Sequence, residues 1–153
     1  MDPEYAHNGL DKYIDQMQRI ALRLRYLGLV MLMMTLMNLG SVAAAAVQLV
    51  SPFLVLQVSA SLFVLVVLVA MLFEQLRRRG EVIYGELTDE LHRAHGEASL
   101  ERPRISFRIA LKNFASSLEL PLIPGRYGAS LYLLLNLGVI VFAFLAYRIY
   151  RIY

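Results

Sequence analysis

The sequence predicts an all-α integral membrane protein with three transmembrane helices, an N-terminal helical hairpin plus one C-terminal span, accompanied by amphipathic cytoplasmic helices. Three observations lead there. Of 153 residues, 58% are hydrophobic and 18% charged, against roughly 45–50% apolar and about 25% charged in an ordinary soluble domain. Three long runs carry no charged side chain: 26–50, 53–73 and 130–147. Arginine and lysine gather instead at the ends of these runs and in the segment between the second and third. The organisation expected is an amphipathic N-terminal helix over 1–25, a hairpin over 26–76, a cytoplasmic helical segment over 77–128 that lies partly at the interface, and a third span with a short C-terminus over 129–153.

The N-terminal stretch has acidic residues and no apolar core followed by a small-residue cleavage site, so no removable signal peptide is expected. From Leu10 onward, Leu10, Tyr13, Ile14, Met17, Ile20, Ala21 and Leu24 recur at three- and four-residue intervals, with Asp11, Lys12, Asp15, Gln16, Gln18, Arg19 and Arg23 between them. That spacing predicts an amphipathic helix starting near Asn8-Gly9 and continuing into the first span.

Each of the first two runs exceeds the roughly 20 apolar residues needed to cross a bilayer, and they are divided at Ser51-Pro52. Serine caps a helix start well and proline fits the first helical turn, so the chain should reverse there. Folding the hairpin sets the small residues 43–46 opposite Ser59, Ala60 and Ser61, and brings Gln48 to the depth of Gln57. Small side chains let membrane helices approach closely, and amides across the contact can hydrogen-bond. The candidate packing or pore-lining residues are therefore Asn38, Gly40, Ser41, Ala44, Ala45, Gln48, Gln57, Ser59 and Asn136. Asn38, in mid-run, needs a partner because an unpaired buried amide is costly. Thr35 on the same helix, Asn136 in the last span, or Asn38 of another copy would serve.

After the second run, Arg77, Arg78 and Arg79 mark a membrane border and are expected to meet anionic headgroups. Gly80 permits a bend. Val82, Ile83, Leu87, Leu91, Ala94 and Ala98 then continue an apolar stripe, predicting a helix to about Arg102, where Pro103 interrupts it. A second pattern follows, with Phe107, Leu111, Phe114, Ala115 and Leu118 on one face and Arg104, Arg108 and Lys112 in a column at four-residue spacing. It suits either a helix in the interface with its cations toward phosphates or packing on the preceding helix. The prolines and glycines of PLIPGRYG predict a short turn before the third run, which ends in RIYRIY, with arginines and tyrosines of the kind found at membrane borders.

The basic residues flank the first run on its N-terminal side and fill 77–128, whereas the hairpin tip has none. The positive-inside rule then sets the N-terminus and 77–128 in the cytoplasm and the C-terminus outside, with the cytoplasmic membrane of a bacterium as the expected location.

Little in the chain resembles first-hand chemistry. There is no cysteine, hence no disulfide or thiolate site. Asp89, His92 and His95 recur every three residues, but such a series drifts about 60° around a helix, making them weak metal candidates; no metal or other cofactor is expected. There is no phosphate-binding glycine loop, no nucleophile elbow and no carboxylate pair inside a run, so no enzyme is expected. The net charge of +3 is explained by topology and headgroups, so nucleic acid is not an expected partner. The partners expected are the lipid bilayer and either further copies of the chain or a membrane protein. Two functions fit: a small oligomeric scaffold or accessory subunit acting through helix–helix assembly, or a homo-oligomeric pore gated by its cytoplasmic helices.

Overall fold

A computed structural model describes residues 3–47, 49–93, 101–119 and 128–152, with side chains described from Gly9 in the first stretch and from Arg104 in the third. Four helices account for nearly all of it: α1 (Pro3–Ala46), α2 (Pro52–Arg93), α3 (Glu101–Leu118) and α4 (Gly128–Ile152), with no strand among the described residues. Helices α1, α2 and α4 are each long and apolar enough to cross a membrane. At about 1.5 Å per residue, even the 25-residue α4 reaches about 37 Å, beyond the roughly 30 Å of a hydrocarbon core.

The α1–α2 turn closes through its own backbone. The amide of Leu49 donates to the carbonyl of Ala44 at 3.0 Å and that of Val47 to Ala43 at 3.2 Å, satisfying carbonyls that the end of α1 leaves open. Ser51 Oγ accepts from the Leu54 amide at 3.4 Å, and Pro52 takes the first helical position behind this cap.

Two boundaries differ from expectation, and one helix runs on where a bend was permitted. Helix α1 begins at Pro3 rather than near Asn8-Gly9, with the proline where its missing N–H costs nothing. Helix α2 passes through Gly80 without a break. Pro103 does not end a helix; it lies in the first turn of α3, where amides have no intrahelical acceptor anyway. Ala94 and Ala98 fall outside the described residues, as does the PLIPGRY part of the expected turn.

The chain forms two compact units. The first combines Met1–Tyr26 with Glu74–Glu119. Its core holds Leu10, Ile14, Met17, Ala21 and Leu24 of α1, Leu87 of α2, and Ala110 and Phe114 of α3. Phe114 fills the space above Gly80 so completely that a Cβ on that glycine would overlap its ring. Tyr84 and Phe107 stack with centroids 6.1 Å apart and planes 9° from parallel, and Arg25 donates to Ser116 Oγ at 2.6 Å. The buried face of α3 is therefore centred on Ala110, Phe114 and Ser117. Ala115, expected on that face, is exposed; at about 100° per residue it stands a third of a turn from Phe114, beside Arg108.

The second unit combines Leu27–Phe73 with Leu120–Tyr153. Its interior is a seam of Met31, Thr35 and Asn38 on α1, Val55, Ser59, Val66, Ala70 and Phe73 on α2, and Tyr132, Asn136, Val139 and Ala143 on α4. Phe53 and Tyr147 meet at 5.9 Å between ring centroids. Outward stand Leu36, Met37, Leu68, Leu72, Leu134 and Phe142, all exposed. So large an uncovered apolar surface would be untenable in water and is the natural exterior of helices surrounded by lipid.

Candidate functional site

The most polar feature of the second unit is a layer of amide and hydroxyl groups inside it. Thr35 and Asn38 lie three residues apart on α1, close enough to share a helix face, and both are buried. Asn136 faces them from α4 and is wholly buried. Asn38 Nδ2 donates to Asn136 Oδ1 at 2.8 Å. Asn136 Nδ2 donates to Thr35 Oγ1 at 2.9 Å and to the carbonyl of Tyr132 at 2.8 Å, which uses both of its hydrogens. Thr35 Oγ1 donates in turn to the carbonyl of Met31 at 2.8 Å. Ser41 Oγ adds a 2.7 Å bond to the carbonyl of Asn38.

Two buried atoms are left over. Asn38 Oδ1 and Ser59 Oγ have no hydrogen-bond partner among the described residues. An unsatisfied buried polar atom costs on the order of 1–3 kcal/mol. The layer thus ties α1 to α4 through two side-chain hydrogen bonds and leaves one acceptor of Asn38 over. None of its members titrates near neutral pH, so its chemistry is hydrogen bonding and not proton transfer.

The other span candidates are distributed unevenly. Ala44 and Ala45 are half-buried, whereas Gly40, Ala43, Ala46, Ala60 and Ser61 are exposed. A run of consecutive small residues turns through every side of a helix, so the expected small-on-small face between 43–46 and 59–61 reduces to a few positions. Gln57 is exposed, and Gln48 lies outside the described residues. Compared with protein-family models, curated proteins and solved structures, the chain matches none.

The arginines at the start of the first unit's share of α2 do different things. Arg77 is only 17% exposed at its side chain and is braced between Glu74 and Glu81, each at 2.7 Å. Arg78 reaches Glu74 at 3.0 Å from a largely exposed position. Arg79 is exposed and has no carboxylate within ion-pair distance among the described residues. Of the three arginines expected to meet headgroups, Arg78 and Arg79 are exposed and Arg77 is half-buried. On α3, Arg104, Arg108 and Lys112 are exposed and share that side with Ile105 and Ile109, exposed at 61% and 53%.

Of the weak metal candidates, Asp89 is exposed and His95 lies outside the described residues. His92 Nδ1 donates to the carbonyl of Thr88 at 2.8 Å, turning that nitrogen back onto its own helix. No group of three or more metal-ligating side chains occurs among the described residues. Sequence reasoning missed Tyr132, whose carbonyl anchors Asn136, and the Gly80–Phe114 approach; the first has no sequence signal, and the second had only an isolated glycine inside a helical pattern.

Proposed function

We propose that the chain is a small membrane scaffold or accessory subunit that self-associates through its spans, with the N-terminus and 77–128 on the cytoplasmic side. The observation that carries this reading is Gln57. It stands exposed on α2 with Ala60 and Ser61, also exposed, one turn further on. A side-chain amide facing hydrocarbon without a partner is costly, and an amide beside small residues is what close helix pairing between copies uses. The orientation is supported by the basic flank of α1 and the arginines after Phe73, against a hairpin tip without a basic residue.

Counting fluorophore-bleaching steps of labelled protein in liposomes tests the reading. The natural chain should appear in oligomers. Gln57→Leu should weaken association by about 3- to 30-fold, the range expected for loss of an interhelical amide bond of roughly 0.6–2 kcal/mol. Unchanged association would rule out this surface.

A pore is the second reading, favoured by the unpartnered Asn38 Oδ1 and Ser59 Oγ inside an otherwise apolar unit. Such atoms suit a water-filled path opened by rearrangement. Ion flux through reconstituted protein, lost in Asn38→Leu while association persists, would support it; absence of flux in every oligomeric state would remove it.

A further inference from the structure

Within the first unit, α1 and α2 line an open groove of about 390 Å³, within the range of small-molecule sites. Its floor is apolar, with Leu76, Val82 and Ile83, and its rim carries Arg19, Arg23 and Arg79. Asp15 holds Arg19 at 2.7 Å. Arg23 and Arg79 have no carboxylate within ion-pair distance among the described residues, so two uncompensated guanidiniums border one apolar trough. We infer that this groove holds a single anionic phospholipid, its phosphate on Arg23 and Arg79 and the upper part of an acyl chain over Leu76, the lining residue nearest the end of the second uncharged run.

Charge and polarity together select this occupant. Guanidinium groups match phosphate oxygens with paired donors. Free inorganic phosphate would satisfy the rim and leave Leu76, at the hydrocarbon end of the groove, uncovered. An uncharged lipid would cover the floor and leave the two cations uncompensated. The position along the chain agrees. Arg23 precedes the first uncharged run by about one helical turn, and Leu76 follows Phe73, the last residue of the second run, by less than one. The Arg23–Leu76 end of the groove therefore opens within the stretch of chain that passes through headgroups when those runs cross the hydrocarbon, and Val82 and Ile83 lie toward its far end. Unlike the broad attraction of surface arginines, this is a site of fixed stoichiometry, and it is independent of self-association through Gln57.

Mass spectrometry of the intact full-length protein, released from detergent after titration with phosphatidylglycerol or phosphatidylcholine, tests it. One phosphatidylglycerol should bind per protomer in preference to phosphatidylcholine. With a basic residue near an anionic headgroup worth roughly a factor of five, Arg23→Gln with Arg79→Gln should weaken phosphatidylglycerol binding by about 25-fold and leave phosphatidylcholine unaffected. Both arginines are exposed, and an unchanged circular dichroism spectrum would verify that the variant is folded. Arg108→Gln with Lys112→Gln should retain the preference, and millimolar inorganic phosphate should not displace the lipid. Equal binding of the two lipids, an unaltered preference in the Arg23/Arg79 variant, its loss in the Arg108/Lys112 variant, or displacement by inorganic phosphate would each overturn the assignment.

Discussion

At the scale of single residues, Asn136 has the largest consequence. Its amide uses the side chains of Asn38 and Thr35 and the carbonyl of Tyr132 at once, so Asn136→Leu leaves the buried Asn38 amide on α1 without its hydrogen bond. Thermal unfolding in detergent should show a loss of about 1–2 kcal/mol. Asn38→Leu combined with Asn136→Leu should cost clearly less than the two single changes added together, because the double variant removes both halves of a contact instead of orphaning one. Strict additivity would mean that the pair is not coupled. Gly80 gives a second case. Adding one methyl there drives Cβ into the Phe114 ring, and Gly80→Ala should destabilise the first unit by about 1–3 kcal/mol through overpacking. Phe114→Leu in the same chain should restore part of that loss; if Gly80→Ala is neutral alone, the close approach does not exist.

At the scale of elements, α3 is apolar on two sides. Ala110 and Phe114 are buried, while Ile105 and Ile109 emerge on the opposite side among Arg108 and Lys112. Isoleucines flanked by cations suit the boundary between headgroups and acyl chains. A polarity-sensitive dye on Ile109→Cys should shift to the blue in liposomes containing phosphatidylglycerol and stay unshifted in liposomes of phosphatidylcholine alone. An identical spectrum in both would show that this side of α3 meets water. The periodicity of α1 was legible because Leu10, Ile14, Met17, Ala21 and Leu24 repeat regularly enough to define one side without knowing what covers it. Gly80 was not, since a glycine within a helical pattern looks the same whether it bends the chain or admits a ring from a neighbour. Asn38 announced that it required a partner, yet Thr35, Asn136 and another Asn38 offer the same chemistry in a list of residues. Only the placement of α4 separates them, and there Asn136 takes both of the α1 groups.

At the scale of the whole molecule, three helices are long and apolar enough to cross a membrane, and the distribution of arginine gives the orientation its testable form. The chain has no native cysteine, so Ser51→Cys and Glu90→Cys each provide one reactive position. In intact cells a membrane-impermeant maleimide should label the first and reach the second only after permeabilisation; the reverse pattern would invert the topology. The uncharged runs were plain in the sequence because span length and composition are local properties. Which side chains the spans and the Arg23–Arg79 groove leave uncovered was not, since that depends on how the helices pack. The bond between Asn38 and Asn136 also has a history within each molecule. Its two ends are separated by 98 residues, and at roughly 5–20 residues per second the ribosome delivers the second about 5–20 seconds after the first. Throughout that interval the first span carries an amide whose mate has not been synthesised. In a chain stalled before Gly128 that amide would lack Asn136 altogether, and α1 would present it without the partner it has in the folded protein.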